Sequence, residues 1–373
     1  MKGAVSAVSY VVEPPDLWSS PRVAGAPTWS SAGDVPGWRI GDFTCTIPAW
    51  QLHAALTVGG PRGAQPVDLA TLADELFLPE GRLRAQDESA IAAEVLYPSP
   101  QLWGSMAMLL DADTEVACTR AYNDWLAEFV QTQPDRFVGV AAIPSGAGTA
   151  AAVEELRRAA SLGCKGALLR TFPTSGDRAL LPDDDQFWSA LVELGVALSF
   201  DSTFGPSAGS QLSGSKGADA ANALAPFVYE AVVERFPDLR LVVANPTAAW
   251  IPNWLERLDD LYLRRPNARN PDLTRELPSD YLRVRPFFTF SGDDLLLEFP
   301  DDYISFSHLM WSSQYPTYHA AEGTETPPGL AALPEDVRQR VRSSTCRGLY
   351  GLPGGAAIDL EPEVKLLLHA IPA

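Results

Sequence analysis

Short apolar runs alternate along the chain with longer stretches in which apolar residues recur every three or four positions. The first kind reads as buried strand and the second as amphipathic helix. Strands are expected at 5–12, 91–97, 137–143, 165–170, 196–201, 239–244, 287–291 and 303–311. Glu13-Pro14-Pro15, Pro98 and Pro144 stop the first three, because proline cannot donate to a sheet ladder. Helices are expected at 114–132, 149–162, 183–194, 218–236, 248–264 and 334–343. Val116, Ala117, Ala121, Trp125 and Phe129 mark the buried stripe of the first, and Gly163 and Gly195 close the next two. Residues 67–90 carry one or two short helical patterns, and 19–63, rich in Gly, Pro and Trp, show no clear period.

Apolar strands alternating with helices imply a parallel sheet covered by helices. About eight such strands favour a closed (β/α)8 barrel. An open doubly wound sheet is the rival, and the absence of Gly-x-Gly-x-x-Gly after the first strand weakens its nucleotide-binding version. In a barrel, 19–63 becomes an excursion over the mouth, where long loops are often functional.

Composition narrows the function classes. The 373 residues are 46% hydrophobic and 20% charged, ordinary for a water-soluble domain. Acidic residues outnumber basic ones by 47 to 28, for a net charge of -19, and no basic run offsets this, so no nucleic-acid partner is expected. The first apolar run is too short for a membrane span and a poor signal peptide, so no membrane partner is expected. Cys45, Cys118, Cys164 and Cys346 are scattered, without metal-site spacing, and read as free thiols of a cytoplasmic protein. The Gly/Ser-rich stretch 205–217 lacks the phosphate-binding pattern and reads as a mobile lid.

Several phrases, in order, carry a family resemblance: VVEPPDLW at 11–18, RAYNDWLAEF at 120–129, PDRFVGVAAIP at 134–144 and AAVEELRRAASLGCKGALLR at 151–170. FPDLRLVVANPTAAWIPNWLERLDD at 236–260, LPSDYL at 277–282, LMWSSQYPTYH at 309–319 and LYGL at 349–352 continue it. Together they resemble the amidohydrolase-2 family, which includes aminocarboxymuconate semialdehyde decarboxylase and resorcylate decarboxylases. The resemblance implies a distorted TIM (β/α)8 barrel of the amidohydrolase type. It also implies a single domain over 1–373 with an insertion at about 19–90, an active site at the strand C-termini, a small-molecule substrate and self-association as a homodimer.

It also implies a metal, yet the family's ligand positions hold other residues. Val8 and Tyr10 stand where the first strand usually ends in acid-x-His or a His pair, Asp201 where the fifth ends in His, and Asn245 where the sixth ends in His or Glu. Gln314 and Thr317 replace the Asp and His of Ser-Asp-Tyr-Pro-His. Zinc wants imidazole or thiolate with some carboxylate. This set offers no imidazole and one carboxylate, and His53, His308, His319 and His369 all fall elsewhere. No metal or other cofactor is therefore expected, although Asp201 with the amide oxygens of Asn245 and Gln314 leaves a hard cation such as magnesium open.

Four of the replacements, Tyr10, Asp201, Asn245 and Gln314, remain polar, which points to a repurposed pocket. Asp201 is the candidate general base, or a loop-capping Asp. Tyr10 is a candidate hydrogen-bond donor to a developing oxyanion, or a packed ring. His319 is a candidate proton shuttle, or a solvated loop residue. Arg170 at the rim pairs with a substrate carboxylate or with an Asp. Asn245 and Gln314 orient a substrate carbonyl, or fill volume. Trp38, Trp250 and Trp103 line a pocket, or belong to the core. His53 is a weaker lid candidate. The function expected is a metal-independent lyase, cyclase or isomerase of specialised metabolism. The alternatives are a non-catalytic binding protein and a decarboxylase or hydrolase of the family's usual kind.

Overall fold

The computed structural model of the protein describes residues 3–19, 23–31, 35–47, 68–69, 76–144, 146–170, 182–201, 216–244, 247–265, 270–275, 277–292, 297, 303–317, 323 and 326–360, with backbone alone at 101, 182, 201 and 216–222. The chain opens with β1 (Ala4–Tyr10), followed by β2 (Thr28–Ser30), β3 (Gly37–Ile40) and β4 (Phe43–Cys45). Then come α1 (Pro79–Glu88), β5 (Ile91–Tyr97), α2 (Pro100–Leu109), α3 (Ala112–Gln131), β6 (Phe137–Ala142), α4 (Gly148–Ser161) and β7 (Gly166–Leu168). The next elements are α5 (Asp185–Leu194), β8 (Ala197–Asp201), α6 (Lys216–Tyr229), α7 (Val232–Arg235), β9 (Leu241–Ala244) and α8 (Ile251–Arg264). The last are α9 (Pro278–Leu282), β10 (Pro286–Phe290), β11 (Leu309–Trp311), α10 (Pro328–Ala331), α11 (Glu335–Gln339) and α12 (Thr345–Leu349).

Eight parallel strands form one sheet in the order β1–β5–β6–β7–β8–β9–β10–β11. The residues just past β11 return to β1 and bring the ends of the sheet together. Gln314 N–H donates to Val8 O at 3.0 Å, and Tyr10 N–H donates to Tyr315 O at 2.7 Å. Strand periodicity sorts the side chains into two apolar sets. Val8, Val95, Val140, Val242 and Met310 pack inside the barrel, while Leu198, Val243, Phe288 and Leu309 pack against the helices. This is the (β/α)8 barrel that the alternating pattern favours and the distorted TIM barrel that the resemblance implies.

Four expectations change. The stretch 19–63 includes a three-stranded antiparallel sheet, β2–β3–β4. Its strands of three or four residues are too short to show a period in sequence. Pro100–Leu109, which the pattern did not mark, is helical, with proline in its first turn. Residues 218–236 form two helices, because Ala231 takes a left-handed conformation at φ 51° while the apolar spacing runs on. The strand expected at 303–311 is only Leu309–Trp311. Ser305 Oγ accepts from Ser307 N–H at 3.3 Å and caps a 3-10 turn over Phe306–His308, a competition with the sheet that serine offers readily.

Candidate active site

The seam that closes the barrel carries the most definite polar geometry at its mouth. Tyr10 ends β1, and Gln314 lies in the turn after β11; each is 3% exposed. Gln314 has φ 60°, a left-handed conformation costing a non-glycine residue about 1–2 kcal/mol. The turn is held by Thr317, whose N–H and Oγ1 donate to Gln314 O at 2.9 and 2.8 Å. In that pose Gln314 Oε1 accepts from the Tyr10 hydroxyl at 3.4 Å. Gln314 Nε2 donates to Ser312 Oγ at 2.9 Å, which donates to Phe290 O at 2.9 Å.

Behind the seam, three fully buried hydroxyls form a triangle. Ser6 and Ser9 lie 2.9 Å apart, Ser9 and Ser313 3.0 Å, and Ser313 and Ser6 2.9 Å. Arg82 of α1 then fixes the tyrosine backbone. Its Nε and Nη2 grip Glu94 at 2.7 and 3.1 Å, and its Nη1 donates to Tyr10 O at 3.0 Å. Its guanidinium carbon lies 4.5 Å from the centroid of the Tyr315 ring. Burial raises the Glu94 carboxyl, but the Arg82 charge and hydrogen bonds from Arg82, Gln86 and Ser9 outweigh it and hold the group below its ordinary value.

Around the mouth, Tyr97 ends β5 in register with Tyr10, and its hydroxyl lies 2.9 Å from Ser199 Oγ on β8. Asp201 ends β8, its backbone in register with Ala244 of β9. Arg170, just past β7, is half-buried; its Nη1 donates to Gly104 O at 3.1 Å. Its buried Nε has no hydrogen-bond partner, and no described carboxylate lies within ion-pair distance of it. Burial pulls the guanidinium down, with the more distant Glu115 opposing.

Glu13, at the first strand's exit, is 1% exposed. It accepts from Ser99 N–H at 2.9 Å, from Ser99 Oγ at 2.5 Å and from Trp103 Nε1 at 2.8 Å. Burial pushes its carboxyl up, and these hydrogen bonds only partly oppose the rise.

Trp38 is 1% exposed, edge-on to Trp18 at 5.3 Å and Trp29 at 5.5 Å, and Trp250 packs on Trp254 and the helix-facing Phe288. The structure thus brings Tyr10 and Gln314 together; Trp38 belongs to the same apolar cluster as Tyr10, and Trp250 packs against the other cluster. Asn245, His319, His53 and His369 lie outside the described residues, as does the Asp201 side chain. His308 is buried against Phe287 with both ring nitrogens on backbone carbonyls.

The described donors do not fit a zinc-type centre. Val8 presents an apolar side chain, and the Gln314 amide oxygen is already engaged by a phenol. Among the described residues no three His, Cys, Asp or Glu are grouped to hold a metal ion. Among the described residues the mouth offers hydrogen bonding by Tyr10, Tyr97, Ser199 and Gln314, and the cation of Arg170. Four residues escaped the sequence reading: Tyr97 and Ser199 are single polar-tipped residues inside apolar strands, and Arg82 on α1 and Glu13 after β1 sit in segments whose local pattern marks no site. Only the register sets Tyr97 beside Tyr10.

Eight parallel strands with a polar mouth define a (β/α)8 barrel. The chain belongs to the amidohydrolase family, whose model matches residues 70–352. It is similar to the crystal structure of an amidohydrolase from Mycobacterium avium subsp. paratuberculosis, with 18% identity, a TM-score of 0.74 and coverage of 95% of this chain and 99% of that one. It is also similar to 5-carboxyvanillate decarboxylase from Sphingomonas paucimobilis, with 20% identity, a TM-score of 0.65 and coverage of 94% and 99%. A third likeness is dihydroxybenzoic acid decarboxylase from Polaromonas, solved with bound manganese and 2-nitroresorcinol, with 18% identity, a TM-score of 0.61 and coverage of 94% and 98%. No curated protein matches the chain.

Proposed function

We propose that the protein is a lyase-class member of the amidohydrolase family that binds a small carboxylated organic molecule at the barrel mouth and works by acid-base and hydrogen-bonding groups, without a metal at the family's position. The observation that carries this reading is the engagement of Gln314 Oε1 by the Tyr10 hydroxyl, two family ligand positions satisfying each other. The decarboxylases among its structural neighbours favour carbon–carbon lyase chemistry on an aromatic acid over hydrolysis. In this reading Arg170 receives the carboxylate, Asp201 is the base, Tyr10 donates to developing negative charge, and Asn245, Gln314 and His319 complete the polar wall.

Two measurements test it: metal content of the purified protein, and carbon dioxide release from a panel of hydroxylated aromatic acids with and without added manganese or zinc. Turnover without metal that falls in Asp201→Asn and Tyr10→Phe supports it. Stoichiometric zinc or manganese with turnover dependent on it restores the family's usual chemistry and ends the metal-free reading. The burial of Val8, Tyr10, Tyr97 and Gln314, each at most 3% exposed, favours a second reading in which the mouth is filled and the protein only binds a ligand or partner. Absence of turnover, with ligand binding unchanged in Asp201→Asn, selects that one.

A further inference from the structure

At the pole opposite the mouth, beside the N-terminal ends of β1 and β5, lies a cavity of about 200 Å³. A water molecule occupies roughly 30 Å³ of liquid, so the space admits a few-atom ion and its hydration. Arg338, Gln339 and Arg342 form one wall, with Glu335 beside them, and Ala90 and Gly323 form the other.

Among the described lining residues the charges do not balance. Arg338 is paired with Glu335. Arg342 is half-buried and, among the described residues, its partners are neutral: Nη1 donates to Thr326 Oγ1 at 2.7 Å, Nη2 donates to Gly323 O, and the guanidinium carbon lies 5.9 Å from the centroid of the Trp311 ring. Burial and the neighbouring Arg338 both pull the Arg342 guanidinium down, with Glu335 opposing. Among the described residues that line the cavity, two guanidiniums stand against one carboxylate. A partly desolvated cation without a counter-charge is costly unless an anion completes it.

The surrounding backbone is constrained. Arg342 stands on a π-helical turn, Arg340–Ser344, a feature common at functional sites. On the opposite wall Gly323 N–H donates to Ser89 O at 2.8 Å, and a Cβ at Gly323 would meet Ser89 O at 2.7 Å and Ala90 O at 2.8 Å. That wall thus cannot move outward around a side chain at 323.

We propose that this cavity binds a small oxyanion, a phosphate or carboxylate group, against Arg342, with Arg338 and the Gln339 amide completing the donor set. The site is separate from the mouth and does not rest on the reaction proposed above.

Thermal unfolding and calorimetric titration of the full chain test it, using inorganic phosphate and succinate in separate arms at matched ionic strength with chloride as control. Low millimolar anion avoids the general stabilisation that excluded salts produce. A saturable rise in Tm is expected with one of the two anions and not with chloride. It should vanish in Arg342→Gln and persist in Arg170→Gln, which alters the mouth. Arg342 also ties down Gly323 and Thr326, so Gln339→Glu is the second variant. Gln339 is exposed, and a carboxylate there neutralises the guanidinium without breaking those ties. The site is refuted if neither anion acts beyond chloride, if the effect survives Gln339→Glu, or if it disappears in Arg170→Gln.

Discussion

Glu13 shows how one buried side chain sets a measurable pH dependence. Its folded-state carboxyl is pushed up by burial, so the native protein holds this proton at a pH where the unfolded chain has released it. Its contribution to stability is therefore greatest below the ordinary carboxyl value and declines as pH rises toward the raised one. Gln at this position keeps an oxygen for Ser99 N–H and Trp103 Nε1, both of which donate to Oε1, and sets its amine against the Ser99 hydroxyl, which can accept. Glu13→Gln should thus preserve the fold and flatten the decline, read from denaturant unfolding at stepped pH. An unchanged slope would mean that another group titrates. Glu13→Leu strands three donors at about 1–3 kcal/mol each and should destabilise at every pH. At the mouth, Tyr10→Phe removes the hydroxyl that reaches Gln314. Under the proposed chemistry it should lower kcat about 100-fold or more, the scale of losing one oxyanion donor, and cost about 1–3 kcal/mol of stability because the buried Gln314 Oε1 loses its donor. Arg170→Gln should instead act mainly on KM, since the lost contact is to a group present in substrate and transition state alike.

Between elements, the Arg82–Glu94 pair joins α1 to β5 and, through Tyr10 O and the Tyr315 ring, to the closing seam. Both side chains are at most 2% exposed, so removing one partner leaves a buried charge. Arg82→Met should cost about 3–5 kcal/mol, and the double variant Arg82→Met, Glu94→Gln should recover a large part of it. Single and double variants that add in denaturant unfolding would show the two to be uncoupled. Because the folded Glu94 carboxyl lies below its ordinary value, the pair's stabilisation is present above that value and fades as pH falls through the folded one. Much of this scale was legible in sequence: Ile91–Tyr97 matches the expected strand end to end, and β6, β8 and β9 fall within a residue or two. These strands are buried on both faces, so their runs are continuously apolar and stop sharply. β2–β4 are too short to show a period, and the 3-10 turn before β11 is set by a serine side chain rather than by hydropathy. At the site, the exchange of ligands at Val8, Tyr10 and Gln314 was readable position by position. That Tyr10 and Gln314 satisfy each other was not, because the contact spans 304 positions and depends on a left-handed backbone at Gln314.

That separation governs the whole molecule. The barrel closes only when β1 meets the residues after β11, so the hydroxyl triangle of Ser6, Ser9 and Ser313 joins positions more than 300 apart. The contacts between consecutive strands bridge far shorter stretches, and loop-closure entropy favours making them first. Seam contacts are then absent from the transition state for folding, and their loss appears in the unfolding rate. Ser313 Oγ touches Ser6 and Ser9 and also accepts Tyr315 N–H at 3.2 Å, so Ser313→Ala leaves a buried amide and two hydroxyls short of a partner. It should accelerate unfolding in denaturant by tenfold or more, the kinetic equivalent of about 1.4 kcal/mol, while refolding stays within about twofold. Ser9→Ala removes one corner of the same triangle, so the double variant should unfold more slowly than the product of the single effects. A refolding rate that drops as much as the unfolding rate rises would place the seam in the folding nucleus, and closure would then be an early event.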